Sequence, residues 1–282
     1  MKEIKRRILT GERALFAEHD LDITECTFEA GESPLKESRN ITLAECSFKW
    51  KYPLWYSCDI AVKNSTLFET ARAGIWYTRN IEISNTTIEA PKTFRRSTAV
   101  SLENVYLPNA QETLWNCDRV KAKNVHAHGA YFAMNSSFME FDGLELVGDY
   151  SFDGAKNVVI RNSRLLSKDA FWNSKDITVY NSYIAGEYLG WNAENLTLID
   201  CTIESLQGLC YIENLVMKNC KLINTTLAFE YSSVDADITG KIDSVLNPKS
   251  GKITADEIDV LTVQKDRVDP SKTEIICKAN KK

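Results

Sequence analysis

Histidine is scarce, with three residues in a chain of 282, and only His126 and His128 lie close enough in sequence to share a site. None of the eight cysteines forms a C-x-x-C pair. Zinc-ribbon, thioredoxin-like and iron–sulfur arrangements are therefore excluded. There is no basic excess: 34 Lys and Arg face 39 Asp and Glu, a net charge of -5. Binding to phosphate backbones needs a basic face, so no nucleic-acid partner is expected. No apolar run approaches the roughly 18 residues of a membrane span, so no membrane partner is expected. The opening stretch MKEIKRRILTGERALF is basic but leads into no apolar segment, so a secretory leader is not expected. The cysteines then read as reduced thiols in a cytoplasmic protein.

What is present is a repeat. Hydrophobic residues make up 44% and charged residues 26%, as in ordinary soluble proteins. Asparagine occurs 20 times, often at a fixed interval. IAVKNSTL (60–67), IEISNTTI (81–88), VSLENVYL (100–107), VVIRNSRL (158–165), ITVYNSYI (177–184) and LVMKNCKL (215–222) share the pattern apolar, x, apolar, x, Asn, x, x, apolar. The fifth position falls at Glu25, Glu45, Asn64, Asn85, Asn104, Asn124, Gly143, Asn162, Asn181, Asp200, Asn219, Gly240 and Glu257. That is 13 units spaced by 17 to 21 residues, most often 19.

A strand of period two followed by a polar turn, with no i, i+3, i+4 periodicity, excludes helical repeats. One unit cannot bury its own apolar face, so the core exists only by stacking. The expected fold is all-β, a single-stranded right-handed parallel β-helix (a solenoid) of about 13 coils. Successive coils would lie ~4.8 Å apart, giving a rod roughly 60 Å long. The apolar columns Ile60, Ile81, Val100, Val120 and Val62, Ile83, Leu102, Ala122 point inward by strand alternation. Asparagine at the fifth position tolerates a left-handed bend, as Gly143 and Gly240 do, and its amide can bond from coil to coil. Cys26 and Cys46, and Cys201 and Cys220, share a register on adjacent coils, where stacked thiols make small core fillers. One domain is expected: an N-terminal cap over residues 1–20, the β-helix over 21–260, and a C-terminal tail or cap over 261–282.

The coils resemble the pectate-lyase-like right-handed β-helix superfamily. Through ITVYNSYI, LVMKNCKL and the Trp-bearing linkers AGIWYTRN and AFWNSKD, the sequence is similar to an uncharacterised bacterial β-helix family, formally a domain of unknown function. That family is sometimes labelled hydrogenase. The label does not carry over, because the paired C-x-x-C motifs of a nickel–iron or cluster site are missing. The catalytic motifs of pectate lyases and polygalacturonases are missing too, so their activity does not transfer.

Five of the six tryptophans fall in one column, nine residues before the turn position: Trp55, Trp76, Trp115, Trp172 and Trp191, with Arg95 and Asp153 at the same register. The preceding column, including Leu54, Ile75, Phe94, Phe152 and Phe171, reads as core. If the local chain is extended, alternation turns the tryptophans outward, and an exposed aromatic stripe marks a ligand groove or an interface. The opposite expectation, a non-extended segment with buried tryptophans, stays open. Asp149, Asp153, Asp169 and Glu187 gather near the middle of the column. Side chains one or two rungs apart lie ~5–10 Å from each other, a range that includes glycosidase carboxylate separations. His126 and His128 on one strand face, with Glu145 a coil away, make an incomplete metal set, so neither metal nor cofactor is expected.

The leading expectation is a carbohydrate-binding or carbohydrate-modifying protein with an aromatic groove on the coil exterior. Trp55, Trp76, Trp115, Trp172 and Trp191 would hold the saccharide, Arg95 an anionic group, and Asp153, Asp169 and Glu187 would be the catalytic acids and bases. The alternative is a non-catalytic scaffold whose aromatic stripe is an interface, either for self-association into a homo-oligomer or for a partner.

Overall fold

The computed structural model describes residues 1–278, and the chain is a parallel β-solenoid. It falls into two compact units, divided after Leu146. In the first, eight main strands follow one another: Lys2–Lys5, His19–Thr24, Arg39–Ala44, Cys58–Lys63, Arg79–Ile88, Thr98–Leu107, Asp118–His128 and Ser137–Val147. In the second there are seven: Lys156–Arg161, Lys175–Tyr180, Glu194–Ile199, Glu213–Thr226, Ser233–Ile238, Ser250–Ala255 and Thr273–Cys277. Eight and seven make about 15 turns rather than 13. The additional rungs are at the two ends, where Lys2–Lys5 pairs with residues 21–24 and Thr273–Cys277 with residues 251–255. The first of them has no asparagine to mark its turn. In the first coil Arg6 takes the bend (φ 53°) and its Nε donates to Glu25 Oε2, the turn residue of the next coil, at 2.7 Å.

The register follows the apolar columns. Ile60 pairs with Ile81, Ile81 with Val100 and Val100 with Val120. In the second unit Val158, Ile177, Leu196 and Leu215 pair in succession. All eight are buried, each worth about 1.5–3 kcal/mol relative to exposure. Phe28 stacks on Phe48 at 4.7 Å, and Phe152 on Phe171 at 5.5 Å.

The fifth position is left-handed from Glu25 through Gly240, with φ between 43° at Asn181 and 90° at Gly240. Its amides bond along the stack. Asn104 Nδ2 donates to Asn85 Oδ1 at 3.0 Å, Asn124 to Asn104 at 3.1 Å, Asn181 to Asn162 at 2.8 Å, and Asn219 to Asp200 at 2.6 Å. Late in the chain the register shifts between Met217 and Cys220, and Lys241 pairs with Glu257. Asp256, not Glu257, is therefore level with Gly240. A second left-handed column at the strand starts escaped the sequence pattern. There Asn80 donates to Asp59 at 2.6 Å, Asn195 to Asp176 at 2.7 Å and Asn214 to Asn195 at 2.8 Å.

All eight cysteines are unpaired. Burial pushes the Cys46 thiol up to about 11, and Cys117 and Cys210 up to about 12. These are inert core fillers rather than nucleophiles. Among the described residues no helix is long and apolar enough to cross a membrane.

Candidate functional site

The tryptophans stand on turns, not on extended chain. Around Trp172 every second residue is left-handed: Asp169 (φ 54°), Phe171 (62°) and Asn173 (52°). The alternation wraps the backbone tightly, sending Phe171 fully into the core and leaving Trp172 half-buried at the surface. The same holds around Trp115, with Glu112, Leu114 and Asn116 left-handed. The outward direction of the column thus comes from a turn that sequence alternation does not describe.

In the first unit the column is closed on itself. Trp55 and Trp76 stack at 5.1 Å and 7°. The Arg95 guanidinium lies between Trp76 and Trp115, 4.6 Å from each ring centroid. Its Nη2 donates to Glu112 Oε2 at 2.9 Å. Trp115 continues to Tyr131 at 6.5 Å. The Trp55 indole N–H donates to the Ala73 carbonyl, and that of Trp76 to the Lys92 carbonyl at 2.7 Å. Ring faces and donors are largely spent within the protein. Arg95 acts as a wedge in the stack, with a ring on each face of its guanidinium and Glu112 on its Nη2.

The second unit differs. Trp172 and Trp191 occupy the same column one rung apart, as Trp55 and Trp76 do, yet no ring contact joins them. Tyr150 covers Trp172 at 6.1 Å and 25°, and Tyr211 covers Trp191 at 4.6 Å and 27°. Tyr188 stands edge-on to Trp191 at 5.7 Å and 82°. Between them opens a cavity of about 480 Å³ lined by Tyr150, Lys168, Asp169, Trp172, Tyr188, Trp191 and Gln207, within the usual range for small-molecule sites. Four of these residues form a column that the sequence reading missed. Backbone bonds from Tyr150 N to Lys168 O (2.8 Å), Asp169 N to Glu187 O (2.9 Å) and Tyr188 N to Leu206 O (3.1 Å) place Tyr150, Asp169, Tyr188 and Gln207 in line. The signal was available: Tyr52, Tyr131, Tyr150 and Tyr188 recur three residues before the tryptophan register. Asp169 interrupts this column, and its short side chain leaves the space.

The three carboxylates expected to act together are arranged unequally. Asp169 is 5% exposed, lines the cavity and has no hydrogen-bond partner for its side chain. Burial pushes its pKa up; Lys168 pulls it down, and Asp149, Glu187 and Asp153 add to the rise. Asp153, also raised by burial, accepts a hydrogen bond from Asn173 Nδ2 at 3.4 Å. Glu187 is exposed and pairs with Lys168 Nζ at 3.5 Å. Of the three, Asp169 is the one that lines the cavity. His126 Nδ1 lies 4.0 Å from Glu145 Oε2, with both side chains more than half exposed. Among the described residues no group of three or more His, Cys, Asp or Glu is arranged to hold a metal ion.

A profile for a protein family of unknown function, DUF3737, matches residues 2–276. The chain belongs to this family. No curated protein matches the sequence. Among solved structures, the DUF3737 chain is similar to PfbA, a surface adhesin of Streptococcus pneumoniae. Identity is 12%, over 98% of this chain and 84% of that one, with a TM-score of 0.42. It is also similar to the A-module of the Azotobacter vinelandii mannuronan C-5 epimerase AlgE4, at 8% identity over 96% and 86% of the two chains and a TM-score of 0.35. A third is the DFA-IIIase of Arthrobacter chlorophenolicus A6, at 10% identity over 92% and 71% and a TM-score of 0.33. Likenesses this distant decide nothing about activity.

Proposed function

We propose that this DUF3737 protein binds a saccharide in the cavity between Trp172 and Trp191. The observation that carries the reading is an interrupted aromatic column. Two indoles that would otherwise stack stand apart around a 480 Å³ space, with an unpartnered carboxyl facing it. Each indole is backed on one face by a tyrosine, which fixes its orientation. The Trp172 and Trp191 indole N–H groups have no protein acceptor among the described residues, so they are free to donate to ligand oxygens. Apolar walls with a few converging polar groups are the usual make-up of a ligand site. Binding is favoured over hydrolysis because Asp169 is the single acid lining the space. Any turnover would use Asp169, whose pKa burial raises, as a general acid. The unpaired cysteines support a cytoplasmic setting. The interface reading has less support, since the exposed stripe of the first unit is spent on its own stacking.

The test is titration of intrinsic tryptophan fluorescence with neutral oligosaccharides, comparing the parent with Trp172→Ala and Trp55→Ala. The expected result is a saturable change that Trp172→Ala abolishes and Trp55→Ala preserves. No change in the parent, or equal loss in both variants, refutes the site.

A further inference from the structure

The walls of this cavity carry more information than a saccharide alone requires. Two tyrosines and two tryptophans surround it, and aromatic faces and edges grouped in this way attract cations through the ring quadrupole. The charge around it is one-sided. Asp149, Asp153 and Glu187 each add negative charge at Asp169, opposed by Lys168. Four acids against one base leave a deficit of positive charge when all are ionised. Lys168 is already committed, with its Nζ 3.5 Å from Glu187 Oε2 and 5.5 Å from the Tyr188 ring centroid. Asp169 is 95% buried, lines the space and has no partner. Its oxygens reach the space rather than lying sealed beneath it, so a cation entering the cavity would meet the carboxylate directly.

The protein holds its own example of the same chemistry. In the first unit the Trp76–Trp115 gap is filled by the Arg95 guanidinium, 4.6 Å from each ring and tied to Glu112. Trp172 and Trp191 are one rung apart, with no arginine rung between them; the open space here lies at Asp169, where the tyrosine column is interrupted between Tyr150 and Tyr188. We propose that a cationic group of the ligand enters this space, so that the saccharide is one bearing an ammonium or quaternary ammonium substituent, held against the aromatic walls of the cavity with Asp169 as its counter-ion. The inference rests on the saccharide reading above and narrows it to amino sugars.

Two glucosamine hexasaccharides test it at neutral pH, one N-acetylated and neutral, the other N,N,N-trimethylated and permanently charged. Tryptophan fluorescence and calorimetry would follow both. The trimethylated form is expected to bind at least about tenfold tighter, the size of one desolvated cation–π and ion-pair contact. Asp169→Asn should erase most of that preference. The comparison of the two ligands on the parent needs no variant, so it stands even if Asp169→Asn folds poorly. Equal or tighter binding of the acetylated form overturns the cationic ligand but leaves the saccharide site. No response to either form overturns both. A preference undiminished in a folded Asp169→Asn protein places the cation elsewhere and also overturns the inference.

Discussion

Arg95 offers a sharp quantitative test of the closed stack. Its side chain is 24% exposed, and its guanidinium covers one face of Trp76 and one of Trp115. A cation–π contact contributes about 0.5–1 kcal/mol when exposed and about 2 when desolvated. Two contacts of intermediate burial are then worth about 2–3 kcal/mol. The Glu112 ion pair adds about 0.5–1 kcal/mol. Removing Arg95 does not strand Glu112, because Lys92 Nζ remains 3.1 Å from its other oxygen. Against this, Arg95 Nε is buried without an acceptor, a penalty of about 1 kcal/mol that deletion recovers. Arg95→Ala should therefore cost about 1.5–3 kcal/mol. Arg95→Lys, which keeps the charge but cannot lay a plane against two rings, should recover less than half. The assay is urea unfolding of purified variants followed by tryptophan emission. Midpoints are compared rather than extrapolated free energies, since solenoids need not unfold in two states. Emission from folded Arg95→Ala should also shift to the red as two indole faces become wetted. An unchanged midpoint in both variants would falsify the wedge and return Arg95 to the list of residues free to meet a ligand.

The turn column can be probed at Asn104, which is left-handed at φ 54° and bonded to Asn85 and Asn124. Asn104→Gly loses only the amide bonds, about 1–2 kcal/mol, whereas Asn104→Ala should cost about 1 kcal/mol more for its Cβ at positive φ; equal urea midpoints would contradict this. Asp169 sets a pH dependence. Its folded pKa is raised, so the protonated form is the one the fold favours, and stability is lost as pH rises from the unfolded value through the folded one. The melting temperature of Asp169→Asn relative to the parent should then climb from pH 4 to pH 7; a flat difference would count against a desolvated carboxyl.

The period of the chain was legible because one conformational need recurs each turn. A left-handed bend selects Asn, Asp or Gly, and from Asn64 to Gly240 those residues mark it. The first coil was not legible because Arg6 meets the same need with a side chain that gives no signal of its own. The tryptophan column was visible as a register. Whether its rings would stack was not, since this depends on which side chain lies three positions earlier on neighbouring rungs. Tyr150 and Tyr188 around Asp169 decide it in the second unit, and they lie 19 residues to either side. Arg95 shows the converse: sequence pattern finds an arginine on the stripe, but only the geometry shows both its faces already taken.

One corner of the first unit shows how such a chain can change length. Between Asn64 and Asn85 the repeat runs to 21 residues, yet Ile60 and Ile81 stay paired. The surplus is taken up where residues 69–71 form a single 3-10 turn, Glu69–Ala71. Insertions at that corner leave every column aligned, while one extra residue inside a strand would turn the apolar side chains of that coil outward. Loops can therefore be grafted at Glu69–Ala71, or whole 19-residue units added or removed, without rewriting the rest of the sequence. The architecture thus keeps separate the residues that hold it together and the places where it can acquire something new.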